Sequence, residues 1–280
     1  MSVPAGPIGL RVIGPVAVEM AAAVGSVPTL FRLVTATSAP HAAYLQATAG
    51  WVEVARAAVA EGALAVLAAG PARPSDAELD ALALLPVVLL GTRLHAPQLR
   101  ALAGELVEDP DWIEVLVVDG SATEFDPRAA LWDAVAMLTA AGLAIDSVPR
   151  VVLAPGVVLA DTTCGSARVH LSCVHRRGAV ARATIKIFGA SGSVEAAMGD
   201  PAVASPGEVL AVSGKDAVLS GTSYQTPLRV ALTELHAALS SDPVSLPGRS
   251  HTHAHATRLL NQVAWDNSQP ATQLKWKESD

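Results

Sequence analysis

Between residues 10 and about 125, short apolar runs alternate with stretches of helical periodicity, and this alternation constrains the fold more than any other feature of the chain. Residues 10–13, 30–36, 64–68, 87–90 and 114–118 have the length and composition of strands. Residues 16–24, 54–61, 75–84 and 96–106 read as the helices between them, with an Ala-rich segment around 41–49 left without an assigned element. Strands separated by helices pair in parallel, because each helix carries the chain back to the starting edge of the sheet. Ser75 and Glu78 form a capping box that marks one helix start.

From Asp126 the pattern changes. Asp126-Pro127 supplies an N-cap and a first-turn proline for a helix over 128–141, which Gly142 closes. Strand-like runs follow at 150–153, 157–160, 167–174, 181–188, 193–198 and 209–212, with turn signals at 175–178 and 189–192. Helices over 227–239 and 254–265 and a polar tail complete the chain. The fold class is α/β plus α+β: a Rossmann-like domain over 1–125, then a linking helix, an open antiparallel sheet and closing helices over 126–266, then a tail over 267–280.

Composition narrows the function. A 51% hydrophobic fraction and a mean hydropathy of +0.40 describe a chain with a real core, and the apolar stretch 81–90 is too short to span a bilayer. A net charge of −7 argues against binding nucleic acid through its phosphates. No secretory leader is legible, so the expected compartment is the cytoplasm, and Cys164 and Cys173 make neither a disulfide framework nor a metal-ligand spacing.

Residues 10–20 stand where a dinucleotide-binding fold keeps its phosphate loop. Gly14 occupies the first glycine position, but the second and third read Val16 and Glu19. Pro15 removes a backbone donor, and a carboxylate in the first helical turn opposes an anionic ligand.

Several segments resemble the glucose-fructose oxidoreductase and inositol dehydrogenase family, Gfo/Idh/MocA. Residues 63–71, ending in Gly70-Pro71, are similar to the family's fourth strand and its turn; 87–94, with Gly91-Thr92-Arg93-Leu94, resembles the strand that ends in Glu-Lys-Pro-Leu; 130–133 stands at the His-x-x-Asp helix. Residues 192–195 and 199–206, with Leu94-His95, resemble the thiazolinyl imine reductase branch. The resemblance implies a Rossmann domain joined to an open sheet, and a cofactor site at Gly14, Val16, Thr37, Gly70 and Thr92. It also implies departures: Thr92 stands at the family's acid–base lysine, Ala130 at its helix histidine, and Thr37 or Ser38 at its ribose-binding acid.

The expected function is accordingly an oxidoreductase fold with an eroded nucleotide site. The chain would serve as a non-catalytic or cofactor-independent partner subunit in a biosynthetic pathway of secondary metabolism, with no cofactor. The alternative is an NADPH-dependent reductase acting on a carrier-tethered or small cyclic substrate, with Asp133, His95 or Tyr224 as proton donor. His236 is a further possible donor. The open sheet predicts a homodimer, or a hetero-oligomer with an active oxidoreductase. His251, His253 and His255 read as a solvated helix start rather than as metal ligands, and turn residues Arg176 and Arg177 as solvated cations.

Overall fold

The computed structural model describes residues 7–14, 18–35, 41–46, 50–69, 75–82, 85–90, 93–105, 107–121, 125–241 and 251–263, with backbone alone at 87–90, 241, 251–253 and 255. Two sheets carry the chain. The first is parallel and five-stranded, in the order β2 (Phe31–Val34), β1 (Ile8–Ile13), β3 (His41–Gln46), β4 (Ala63–Ala69), β5 (Val87–Leu90). Its crossover helices are α1 (Val18–Gly25), α2 (Trp51–Ala60) and α3 (Asp76–Leu82), and α4 (Pro97–Gly104) leads out of it. Successive strand residues point to opposite faces. Ile8, Leu10, Tyr44 and Leu67 therefore pack toward α1 and α6 (Pro227–Ser241), whereas Leu45, Val66 and Ala68 pack toward α2. Both faces are covered, which explains why these strands read as continuous apolar runs.

The Ala-rich segment beginning at His41 is a strand, β3, at the centre of this sheet. Its sequence, HAAYLQ, is poor in β-branched residues, so propensity hides it; burial between β1 and β4 selects it. Only residues 35–40 lie between β2 and β3, leaving no room for a crossover helix there.

The second sheet has eight strands in the order β13 (Asp216–Leu219), β12 (Glu208–Ser213), β11 (Gly192–Met198), β10 (Arg182–Gly189), β6 (Pro110–Asp119), β9 (Ala167–His175), β8 (Val157–Cys164), β7 (Ser147–Ala154). Every pair is antiparallel except β6 with β9. The strand expected at 114–118 as part of the parallel unit is thus a central strand of the second sheet. Sheet membership changes before β6, while the division expected from sequence falls after it at 125. β13, which follows β12 through a turn at Gly214, was not anticipated; all its residues are exposed, so no apolar alternation announces it.

One face of this sheet buries Ile113, Val115, Val169, Leu171, Ile185 and Ile187 in a core shared with α5 (Pro127–Ala140) and α7 (His251–Asn261). Among the described residues the opposite face keeps Trp112, Phe188 and Leu210 exposed. α5 starts as its sequence dictates: Asp126 accepts hydrogen bonds from the N–H groups of Arg128 at 2.8 Å and Ala129 at 3.1 Å. Sheet on one side and α7 on the other bury Leu131, Ala134, Val135, Met137 and Leu138, and the Trp132 indole donates to Thr257 of α7 at 3.0 Å. Arg258 and Asn261 of α7 reach Asp80 and Asp76 of α3, which ties this layer to the parallel unit. Among the described residues no helix is long and apolar enough to cross a membrane.

Leu138 has no exposed surface. Leu138→Ala is expected to lower the unfolding free energy by about 2–5 kcal/mol, measured by urea denaturation; an unchanged midpoint would show that α5 is not the packed centre of this core.

Candidate functional site

In an open parallel sheet a ligand sits outside the carboxyl ends of the strands, where the strand order reverses direction. That point here lies between β1 and β3, since β2 is added to one side of β1 and β3 to the other. β1 runs out at Ile13 into Gly14, whose φ of 104° belongs to the left-handed region and whose missing Cβ would meet nothing within 4 Å. A left-handed turn is therefore present at the first glycine position, and among the described residues nothing stands where a Cβ would point. α1 begins just beyond, so its N-terminal N–H groups lie at this end of the sheet.

Two further side chains belong to this end. Glu19 lies in the first turn of α1, and Gln46 at the end of β3 donates to the Tyr44 hydroxyl at 3.2 Å. Burial pushes the Tyr44 phenol above its ordinary range, and the negative charge of Glu19 pushes it further. Glu19 also occupies the positive end of the helix dipole that a pyrophosphate would use. Gly14 thus fits a dinucleotide, while Glu19 works against its charge. Val16, Thr37, Gly70 and Thr92, the other expected cofactor positions, lie outside the described residues.

The segment after β5 joins the two sheets. The Arg93 guanidinium is buried between Asp133 of α5 and the end of β6: Nη1 is 3.4 Å from Asp133 Oδ2, Nη2 donates to the Val118 carbonyl at 3.4 Å, and the Arg93 N–H donates to Asp133 Oδ1 at 3.4 Å. Both side chains are nearly sealed, at 4% and 8% exposure. Asp133, expected as a possible acid facing a cleft, is buried, and there it is the counter-ion of Arg93. Beside the pair, burial pushes the Cys173 thiol up to about 12, with Asp133 adding to the rise and Arg93 opposing it, so this cysteine is inert packing.

His95, two residues on, is half of a second pair. Its Nδ1 lies 3.2 Å from Glu234 Oε2 of α6, and Arg100 of α4 grips the other carboxylate oxygen. His95 Nε2 is buried. Tyr224 is 61% exposed, before α6, and His236 packs edge-on against Phe31 with Nδ1 3.4 Å from the Ser240 hydroxyl. The four expected proton donors thus stand in separate environments. The histidine triplet falls in the first turns of α7, a helix that begins earlier than the expected 254, and its side chains lie outside the described residues. Arg176 and Arg177 are exposed in the turn after β9.

Sequence reasoning missed a third pair. Asp119 and His175 are register partners at the last rung of β6 and β9, the parallel pair of the second sheet. His175 Nδ1 is 3.3 Å from Asp119 Oδ2; the Ser121 N–H donates to Oδ1 at 2.9 Å and its hydroxyl to Oδ2 at 3.0 Å. The phenyl ring of Phe125 stacks on the imidazole, with ring centres 5.6 Å apart. Burial raises the Asp119 acid, but the Ser121 N–H, the Ser121 hydroxyl and His175 together outweigh it and hold the group below the usual carboxylate range. Glu234, likewise, lies 139 residues from His95. Neither pair has a local spacing that a sequence could display. Among the described residues no three His, Cys, Asp or Glu side chains gather as a metal site.

No protein-family profile matches the chain, and no curated protein matches it in sequence. Solved structures do match. A variant 3-ketoreductase from Actinomadura kijaniata, solved with TDP-benzene and NADP, superposes with a TM-score of 0.67 at 13% identity over 92% of this chain and 96% of its own. An oxidoreductase from Magnetospirillum magnetotacticum gives 0.67 at 18% identity over 92% and 100%, and the dehydrogenase MviM from Clostridium difficile gives 0.66 at 12% over 91% and 97%. The fold is the two-domain oxidoreductase fold of the Gfo/Idh/MocA type. The expectation of a chain without cofactor is corrected by these structures, because the ketoreductases that share the fold hold NADP; reasoning from the missing glycines and lysine weighed single positions above the whole frame. A non-catalytic partner role finds no support in them.

Two expectations follow from the ion pairs. Asp133→Ala leaves a buried guanidinium uncompensated and should cost about 3–5 kcal/mol in urea unfolding, while the double replacement Arg93→Met with Asp133→Leu should recover most of the loss; an Asp133→Ala protein as stable as the parent would contradict the pairing. Because the Asp119 acid is lowered in the folded protein, its contribution to stability is complete above the ordinary carboxylate range and is lost as pH falls through its folded value. Acid titration of the unfolding midpoint should therefore flatten in Asp119→Asn, and an unaltered acid limb would refute that role.

Proposed function

We propose that this chain is an NADP(H)-dependent oxidoreductase that reduces a carbonyl or imine carbon. The supporting observation is the open left-handed turn at Gly14, placed at the strand-order reversal of a fold shared, over nine-tenths of both chains, with a ketoreductase that holds NADP. Gly14 and the start of α1 would hold the pyrophosphate, with the reduced ring directed toward the segment after β5. Bound there, the cofactor supplies hydride to an electrophilic carbon. The chain itself contributes a fixed frame: Arg93 and Asp133 hold the segment after β5 against α5 and the end of β6.

Glu19 sets the strength of binding. Its carboxylate competes with the pyrophosphate for the N-terminus of α1, so Glu19→Gln should tighten NADPH binding roughly 2–5-fold, a helix-dipole effect. Isothermal calorimetry with NADPH tests both statements. Saturable heat that strengthens in Glu19→Gln supports the reading; no heat at about 1 mM NADPH in either protein removes it.

The open face of the second sheet favours self-association. Trp112 and Phe188 oppose one another across β6 and β10 and remain 36% and 40% exposed. Leu210 and Leu219 extend the apolar surface toward the edge, and one charged rung runs Asp161, His170, Glu114, Lys186, Glu195. A dimer through this face buries the apolar positions. Sedimentation should give twice the 28.6 kDa chain mass, falling to that mass in Phe188→Asp; a monomeric parent protein excludes the dimer.

A further inference from the structure

We infer that His175, held by Asp119, is the proton donor to the group being reduced, an inference that rests on the NADP(H) reading above. Position comes first. Asp119 directly follows Val118, whose carbonyl receives the Arg93 guanidinium, so the Asp119–His175 rung lies where the end of β5 meets the ends of β6 and β9. Arg93, three residues past β5, thus reaches the residue next to this rung.

The local construction is that of a held acid. Asp119 Oδ1 accepts from the Ser121 N–H, and Oδ2 is shared by the Ser121 hydroxyl and His175 Nδ1. Gly120 lets the strand end approach the following turn: a Cβ there would stand 1.8 Å from the Ala179 carbonyl oxygen, and the N–H of Arg176 donates to the Asp119 carbonyl at 2.9 Å. Phe125 covers one ring face. With Nδ1 committed to the carboxylate, Nε2 is the ring nitrogen left for chemistry, and the side chain keeps 14% of its surface exposed. Of the other candidates, Asp133 is committed to Arg93 and His95 has its Nε2 buried.

The step balances. As the carbonyl or imine carbon gains hydride, the π pair moves onto oxygen or nitrogen and takes the proton from Nε2 of the imidazolium; the C=X bond becomes H–C–X–H, and neutral His175 regains its proton from water. Asp119 stays ionised throughout and keeps the ring oriented.

The test is NMR of the full chain with 13C-labelled histidine, titrated with NADP+, with the His175 ring signal assigned by its loss in His175→Gln and, should that variant not fold, by its displacement in Asp119→Asn. The nicotinamide ring current should move the His175 signal by tenths of a part per million, more than any other histidine. NADP+ that binds by calorimetry while displacing His95 and leaving His175 unmoved overturns the assignment and leaves the cofactor reading standing. NADP+ that does not bind at all removes both.

Discussion

The buried contact between Arg93 and Asp133 is the interaction on which the rest of the arrangement depends. It joins the loop after β5, the helix α5 and the end of β6 through one guanidinium, in a place nearly closed to water. Two charges taken out of water gain little net stability from each other, yet removing one is costly. Such a pair fixes relative position more than it adds to stability. What it fixes here is the segment after the parallel sheet against α5 and the end of β6 in the second sheet.

Two kinds of strand end supply the candidate groups. On the parallel side, Gly14 provides the turn and α1 the dipole, with Glu19 as an opposing charge. On the other side, the rung Asp119–His175 provides a carboxylate-held imidazole. Of the expected loop, Gly14 keeps a left-handed turn and Glu19 places a carboxylate at the start of α1.

The broad architecture was legible because periodicity is a local signal. The βαβ alternation, the Asp126 cap, the Ser75–Glu78 box and the hairpin strands all appear where the sequence places them. β3 was hidden because its alanines carry no propensity signal and only its neighbours define it. β6 reads as one more strand of the first unit, since a buried apolar run does not reveal which sheet it joins. The candidate site was legible only in part. Position alone singled out Asp133 and His95 as candidate donors, whereas their partners Arg93 and Glu234, and the pair Asp119 with His175, are assembled by tertiary contact over 40 to 139 residues.

The central claim, that the carboxyl end of the parallel sheet takes a nicotinamide dinucleotide, is tested most directly by amide hydrogen exchange with and without NADP+. The prediction is slowed exchange in 8–14, in the first turn of α1 and at the end of β3, with the open face of the second sheet unchanged. Unchanged exchange in those segments at saturating NADP+, or protection confined to the second sheet, would contradict it.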